Sequence, residues 1–100
     1  MNTNAKSPFP KEVYSRNAQI YKTFANPTRI EIMNIIRVKE VSVDELSRVI
    51  GISKSNTSQH LAILRHLKIV QMRRKDHNIL YKLSDPRIVE PCRILRKLWK

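Results

Sequence analysis

The chain has 100 residues, enough for one domain with a single core, and its 41% hydrophobic content excludes an intrinsically disordered chain. Its 20 lysines and arginines outnumber 8 acidic residues, giving a formal net charge of +12 at pH 7. This charge predicts a polyanionic partner, which could be duplex DNA, RNA or an anionic membrane surface. Because the sequence has neither a bilayer-spanning apolar stretch nor the apolar core of a signal peptide, we expect no membrane partner and a cytoplasmic location.

Residues 1–10 contain two prolines and several polar residues, which predicts a flexible N-terminal arm, and residues 11–100 are predicted to form a single domain. A first helix is predicted over residues 11–25, with its apolar side chains on one face. A second is predicted over residues 28–38, with Asn26 as its cap and Pro27 at its first position. The apolar arc of this second helix is wide, so we expect it to be central.

Residues 41–67 predict a helix, a tight turn and another helix. Ser42 is placed to cap the first of these helices, with Glu45 completing a capping box. Gly51, the only glycine, falls where that helix must end, and Ser53 is placed to cap the second. The residues expected to be buried in the first of these helices are Val43, Leu46, Val49 and Ile50.

The second of these helices, residues 53–67, has two different faces. Thr57, Leu61 and Leu64 project to one side, while small or polar side chains project to the other. A DNA recognition helix needs this division, because its apolar back attaches it to the body and its polar front reaches base edges. The alternative is a polar face that is only solvated. The side chains predicted to contact DNA here are Ser53, Lys54, Ser55, Ser58, Gln59 and Arg65.

The pattern then changes to that of two strands, near residues 69–73 and 79–83, with a charged turn between them. A basic hairpin after a recognition helix predicts a wing, residues 70–83, that binds phosphates but reads little sequence. The alternative is an exposed hairpin whose charges only protect its edge. Without glycine, the turn needs Asp76 or Asn78 for any residue with positive φ. The wing residues predicted to contact DNA are Arg73, Arg74, Lys75 and His77.

A last helix is predicted from Asp85–Pro86 onwards, and Pro91 inside it should kink it or delay its regular start. Its apolar stripe, like that of the first helix, exceeds what a small filled core needs. We therefore expect the two terminal helices to form a two-fold homodimer, the alternative being packing on the chain's own body. The predicted dimerisation residues are Val13, Tyr14, Tyr21, Ile88, Cys92, Leu95 and Trp99.

Cys92 is the only cysteine, which excludes an intrachain disulfide and fits a reducing compartment. Its place on the apolar stripe predicts a buried, inert thiol. The alternative is a redox-active thiol near the dimer seam, flanked by Arg93 and Arg96. The sequence leaves both open. His60 projects toward the core side of its helix, which favours a structural role over a base contact.

The chain resembles the ArsR/SmtB family of winged-helix repressors over about residues 13–99. The segments that carry the resemblance are FANPTRIEIMNII (24–36), VSVDELSRVIGIS (41–53), SNTSQHLAILRHLKIV (55–70) and RRKDHNILYKLSD (73–85). The resemblance implies a mainly α-helical winged helix-turn-helix with a small β-hairpin, in the order α1-α2-α3-α4-β-β-α5. It also implies a homodimeric repressor that binds double-stranded DNA at an inverted repeat and releases the DNA when an inducer binds. Family positions that contact bases or phosphates match Lys54, Ser55, Ser58 and Gln59.

The chain departs from the family at the sensor sites. The Cys-x-Cys positions of metal-sensing members fall within residues 41–43, and Arg87 replaces a histidine that would accompany Asp85 in a zinc site. We therefore expect no metal and no cofactor. The nearest branch, of HlyU- and BigR-like proteins, senses through two cysteines whose positions here are Asn34 and Lys100. The inducer, if there is one, is unidentified.

The predicted function is that of a sequence-specific transcriptional regulator, most simply a repressor. The alternative is a sequence-tolerant architectural protein that coats DNA, favoured by the charge of +12 and by the few bidentate groups on the recognition helix. An enzyme is not expected, because the sequence has no paired carboxylate site, glycine-rich phosphate loop or Cys-His arrangement. A protein-interaction module would be expected to have a less basic surface.

Overall fold

The computed structural model describes residues 4–99. The order of its helices and its hairpin is the predicted one, so the mainly helical winged helix-turn-helix is confirmed. A short additional strand and a 3₁₀-helical turn, Pro86–Val89, accompany them. The elements are α1 Lys11–Phe24, α2 Pro27–Ile35, β1 Val41–Ser42, α3 Val43–Ile50, α4 Lys54–His66, β2 Val70–Lys75, β3 Asn78–Leu83 and α5 Glu90–Leu98.

The segment before α1 contacts that helix. Ser7 Oγ donates a hydrogen bond of 2.7 Å to Tyr14 Oη, and the rings of Phe9 and Tyr14 meet edge to face with centroids 6.0 Å apart. Residues 1–3 of the predicted arm lie outside the described residues. The flexibility of the arm stays a prediction.

The predicted helix ends are largely confirmed. The side-chain oxygens of Asn26, Ser42 and Ser53 each accept a hydrogen bond of 3.0–3.2 Å from the backbone N–H three residues later. Gly51 ends α3 in the left-handed region, with φ at 84°. The second helix is shorter than predicted, because α2 ends at Ile35.

The core lies where α2, α3 and α4 meet under the sheet. The two polar residues buried in the described chain, Ser47 and Thr57, face each other across the helix-turn-helix with their hydroxyl oxygens 3.0 Å apart. The expected burial of Val49 was wrong, since its side chain is 58% exposed. Ser47 occupies the inward position of α3 instead, because its hydroxyl has a partner on α4.

The sheet has three antiparallel strands in the order β1-β3-β2, so β3 is central. The strand β1 was not predicted, because two residues are too few to show an alternating pattern. The wing turns at Asp76, whose φ of 56° makes it the residue with positive φ that the turn required. Lys68, between α4 and β2, also has a positive φ, of 62°.

The chain after β3 forms the 3₁₀-helical turn first and α5 only from Glu90. Pro91 therefore lies in the first turn of α5, where a missing N–H removes no helical hydrogen bond. The predicted delay in the regular start of this helix is confirmed.

The terminal helices extend from the body. Neither α1 nor α5 contains a buried residue in the described structure. The radius of gyration is 16.5 Å, above the about 13 Å typical of a compact 100-residue domain. Ile20 and Phe24 of α1 pack against the core. Exposed apolar side chains such as Tyr21, Leu95 and Trp99 remain available to a partner.

The left-handed turn at Gly51 gives a stability prediction. A Cβ atom at this position would meet no atom within 4 Å, so the cost of Gly51→Ala is backbone strain alone. We expect a loss of about 1 kcal/mol in the free energy of unfolding, measured by urea denaturation. Gly51→Asn is the control and should lose less, because asparagine tolerates this conformation. Equal losses in both variants would contradict the strain argument.

Candidate nucleic-acid interface

The exposed face of α4 is the centre of the candidate interface. Ser55, Ser58 and Gln59 are exposed, and their side chains form no hydrogen bond within the described part of the chain. On the opposite face Thr57 and Leu61 have no exposed surface. The helix is thus fixed by one face, while the donors and acceptors of the other face remain free.

At the start of α4, two of the side chains predicted to contact DNA already have partners within the protein. Ser53 Oγ accepts the N–H of Asn56 and so caps the helix. Lys54 Nζ lies 3.2 Å from a carboxylate oxygen of Asp44 on α3. Both partners of this ion pair are largely exposed, so it contributes little to stability and leaves Lys54 able to change partner. Arg65, in the last turn of α4, is exposed.

Of the four wing residues predicted to contact DNA, one is paired with an acidic residue in the described part of the protein and three are not. Arg73 binds Glu40 through two nitrogens, with Nη2 2.7 Å from Oε1. The hydrogen bond from Arg73 is the main cause that lowers the pKa of Glu40, and the carboxylate raises the pKa of Arg73 in turn. The remaining predicted residues are exposed and form no ion pair within residues 4–99: Arg74, Lys75 and His77.

His60, beside Gln59, is half-buried, in agreement with its interpretation as a structural histidine. Its Nδ1 lies 3.4 Å from Nη1 of Arg29 on α2. Burial first, and the charge of Arg29 second, lower the pKa of His60 below its usual value of 6.5. This pair was not predictable from local sequence, because its members are 31 residues apart. Glu40 and Asp44 were missed for the same reason, since acids near a basic surface have no local pattern.

Asp85 is held by Arg87. Its Oδ1 accepts the backbone N–H of Arg87 at 2.9 Å, and its Oδ2 lies 2.7 Å from the guanidinium. The hydrogen bonds from Arg87 lower the pKa of Asp85 to about 2. Both carboxylate oxygens are thus occupied by an internal cation. Residues 4–99 contain no cluster of three or more His, Cys, Asp or Glu side chains suited to a metal ion.

The predicted burial of Cys92 was wrong for the single chain, in which this thiol is exposed. Its side of α5 borders an open groove of about 500 Å³ between α1, α2 and α5, whose lining includes the core residues Met33 and Val89. Two of the predicted dimerisation residues, Val13 and Tyr14, lie outside this groove. Those that line it are Tyr21, Ile88, Cys92, Leu95 and Trp99. None of the described helices is long and apolar enough to cross a membrane.

Comparisons with known proteins agree with this architecture. Residues 26–71 match the model for bacterial regulatory proteins of the arsR family. An uncharacterized HTH-type transcriptional regulator of Mycobacterium tuberculosis is 36% identical over 87 residues, which cover 86% of this chain and 76% of that protein. The structure of HlyU from Vibrio cholerae has a TM-score of 0.78 at 30% identity, covering 90% of this chain and 98% of HlyU.

A third similar structure is the homodimeric winged helix-turn-helix DNA-binding domain from Mycobacterium bovis. Its TM-score is 0.78 at 18% identity, covering 95% of this chain and 91% of that domain, a likeness of fold alone. The family match spans α2, α3 and α4, and the alignment with the M. tuberculosis relative covers 86% of this chain. The chain therefore belongs to the arsR family of bacterial transcriptional regulators, which are DNA-binding winged-helix proteins and not enzymes.

Proposed function

We propose that this regulator is a homodimeric repressor that reads an inverted-repeat operator in double-stranded DNA. The observation that carries the proposal is the division of α4 into a fully buried and a free polar face. Because its back is fixed by Leu61 and Leu64, the helix can enter a major groove as a rigid body. A repressor of this kind acts by occupying the operator, and in a bacterium it does so in the cytoplasm.

In this proposal the residues have different tasks. Gln59 is long enough for a bidentate contact to an adenine, while Ser55 and Ser58 form shorter contacts to bases or phosphates. The capped start of α4 has no acidic residue in its first turn, so its backbone N–H groups favour a phosphate. Wing residues Arg74 and Lys75 bind the phosphate backbone and add affinity without sequence preference.

The proposed dimer forms through the terminal helices. Tyr21 is 64% exposed, Leu95 51% and Trp99 83%, and all three line one apolar groove. Apolar surface of this kind on a small protein favours a protein partner. A second copy is the simplest partner, as in the homodimeric domain of the same fold. Two-fold pairing would bring two α4 helices to successive major grooves about 34–36 Å apart.

The alternative is a sequence-tolerant protein that coats DNA, which the charge of +12 favours. Selection from a random duplex library at about 0.15 M salt separates the two, because this salt concentration weakens contacts made to phosphates alone. Enrichment of an inverted repeat would support the repressor. Tight binding to a library that stays random would overturn it. The enriched site, placed before a reporter gene, then tests repression directly.

The base contact assigned to Gln59 gives a prediction about specificity. Gln59→Ala should weaken binding to the selected site by about 1–3 kcal/mol and relax the preference at one base pair. Fluorescence anisotropy on the selected site and on single-base variants measures both effects. The matched control is Gln19→Ala on α1, also an exposed glutamine. A loss shared equally by all sequences would contradict the contact.

The wing gives a different prediction. Arg74→Ala should weaken binding to every sequence to a similar degree, because Arg74 is assigned to a phosphate. It should also reduce the slope of log affinity against log salt by about one. The control is Arg16→Ala, which removes an exposed arginine from α1. An unchanged slope in Arg74→Ala, or an equal change in the control, would exclude the phosphate contact.

The dimer surface is tested by Leu95→Glu. Leu95 is half-exposed in the single chain, so the variant should fold, and circular dichroism checks this. The buried carboxylate should raise the dimer dissociation constant about a hundredfold, or about 2.8 kcal/mol, in sedimentation experiments. Val49→Glu on α3 is the control, since Val49 is similarly exposed but lies outside the groove. A dimer that survives Leu95→Glu would place the interface elsewhere.

A further inference from the structure

Arg29 is the side chain that joins three helices. Its backbone N–H donates to Asn26 Oδ1 at the start of α2, at 3.0 Å. Its guanidinium Nε donates to the carbonyl oxygen of Thr23 in the last turn of α1, at 2.9 Å. Its Nη1 lies 3.4 Å from Nδ1 of His60 in the middle of α4. A planar guanidinium holds its nitrogens in a fixed arrangement, so its contacts with Thr23 and His60 restrict α1 and α4 relative to α2, which carries Arg29.

His60 connects this link to the DNA face. It follows Gln59 directly and lies at the border between the buried and the exposed faces of α4. A rotation of α4 that moved His60 away from Arg29 would therefore also move Gln59. Thr23 lies on the helix that provides Tyr21 to the apolar groove. The contact thus spans from the proposed dimer surface to the proposed base-reading face.

The contact depends on the protonation state of His60. An arginine only donates hydrogen bonds, so Nδ1 must be the acceptor and the proton of the neutral ring must be on Nε2. An imidazolium could not accept from Arg29 and would be repelled by its charge. Arg29 on α2 is the charged group whose field acts on His60, and with burial it lowers the pKa of the imidazole. The neutral form is thus the one favoured near pH 7, and the contact is lost as the pH falls through the lowered pKa of His60.

We infer that Arg29 is a positioning residue that, through neutral His60, sets the orientation of α4 relative to α1 and so the spacing at which two half-sites are read. The inference rests on the proposed function, because spacing has meaning only for a dimer on an inverted repeat. Neither side chain needs to touch DNA in this role. Protonation of His60 releases the link and lowers the preference for the correct spacing.

The first test varies Arg29. Arg29→Lys keeps the charge but replaces the rigid fork with a single ammonium on a flexible stem, so it should not hold Thr23 and His60 in one fixed geometry. We expect the preference for the selected operator over one with its half-sites moved by a base pair to fall about tenfold. The matched control, Arg16→Lys on α1, should keep the preference. A merely destabilised protein would lose affinity for both operators equally, which would overturn the inference, as would an unchanged preference.

The second test varies His60. His60→Asn keeps an acceptor close to the position of Nδ1 but cannot be protonated. It should bind like the wild type at about pH 8 and keep its spacing preference at a pH below the pKa of His60, where the wild type loses it. His60→Leu should lose the preference at both pH values. His66 and His77 remain in every variant, so their titration cancels. A wild-type pH profile in His60→Asn would overturn the inference.

A third measurement needs no DNA. The ¹⁵N shifts of the imidazole at about pH 8 should show the proton of His60 on Nε2, with Nδ1 free to accept. A proton on Nδ1 would exclude the contact, even if the variants fold poorly. Failure of the wild type to select any site would overturn the proposed function and the spacing role together. If the wild type selects a site but the Arg29 and His60 variants keep its spacing preference, only the role of Arg29 is overturned.

Discussion

The packing of α4 against α3 is the constraint on which the rest of the structure depends. Ser47 and Thr57 place a hydrogen-bonded hydroxyl pair inside the turn, and Leu61 and Leu64 continue the contact into the core. Each hydroxyl can also donate to the backbone carbonyl four residues earlier in the chain, so the two helices meet closely here without an unpartnered buried polar group. The exposed side chains of α4 can therefore be short, because the backbone already holds them in position.

The terminal helices α1 and α5 are held less firmly than α4. Neither α1 nor α5 contains a buried residue within the described range. Half-buried Ile20 and Phe24 pack α1 against the core, and a few polar contacts add to this attachment. One of these contacts is the bond from Arg29 to Thr23. Pairing of two copies would bury the apolar stripes and fix α1 more firmly. Through Arg29, that ordering would reach α4 as well.

The sequence was most informative where structure is local. Caps at Asn26, Ser42 and Ser53, and the helix end at Gly51, follow from one or a few neighbouring residues, and all four were predictable. The burial of Ser47 was not, because its hydroxyl partner Thr57 is ten residues away on another helix. The pairing of Arg73 with Glu40 was hidden for the same reason. Neither pair leaves a periodic signal.

The hidden acidic partners change how the charge of +12 should be interpreted. Asp44 and Glu40 lie against Lys54 and Arg73, so two of the predicted DNA-contacting cations are already paired in the free protein. Phosphate binding must replace these ion pairs, and an exposed carboxylate near DNA repels it. Both effects reduce the affinity for arbitrary sequences. The proposed base contacts by Gln59 and Ser58 involve no such exchange, so in this proposal the acids would raise the ratio of specific to non-specific binding. That ratio, and not total charge, determines whether a repressor finds its operator among many competing sites.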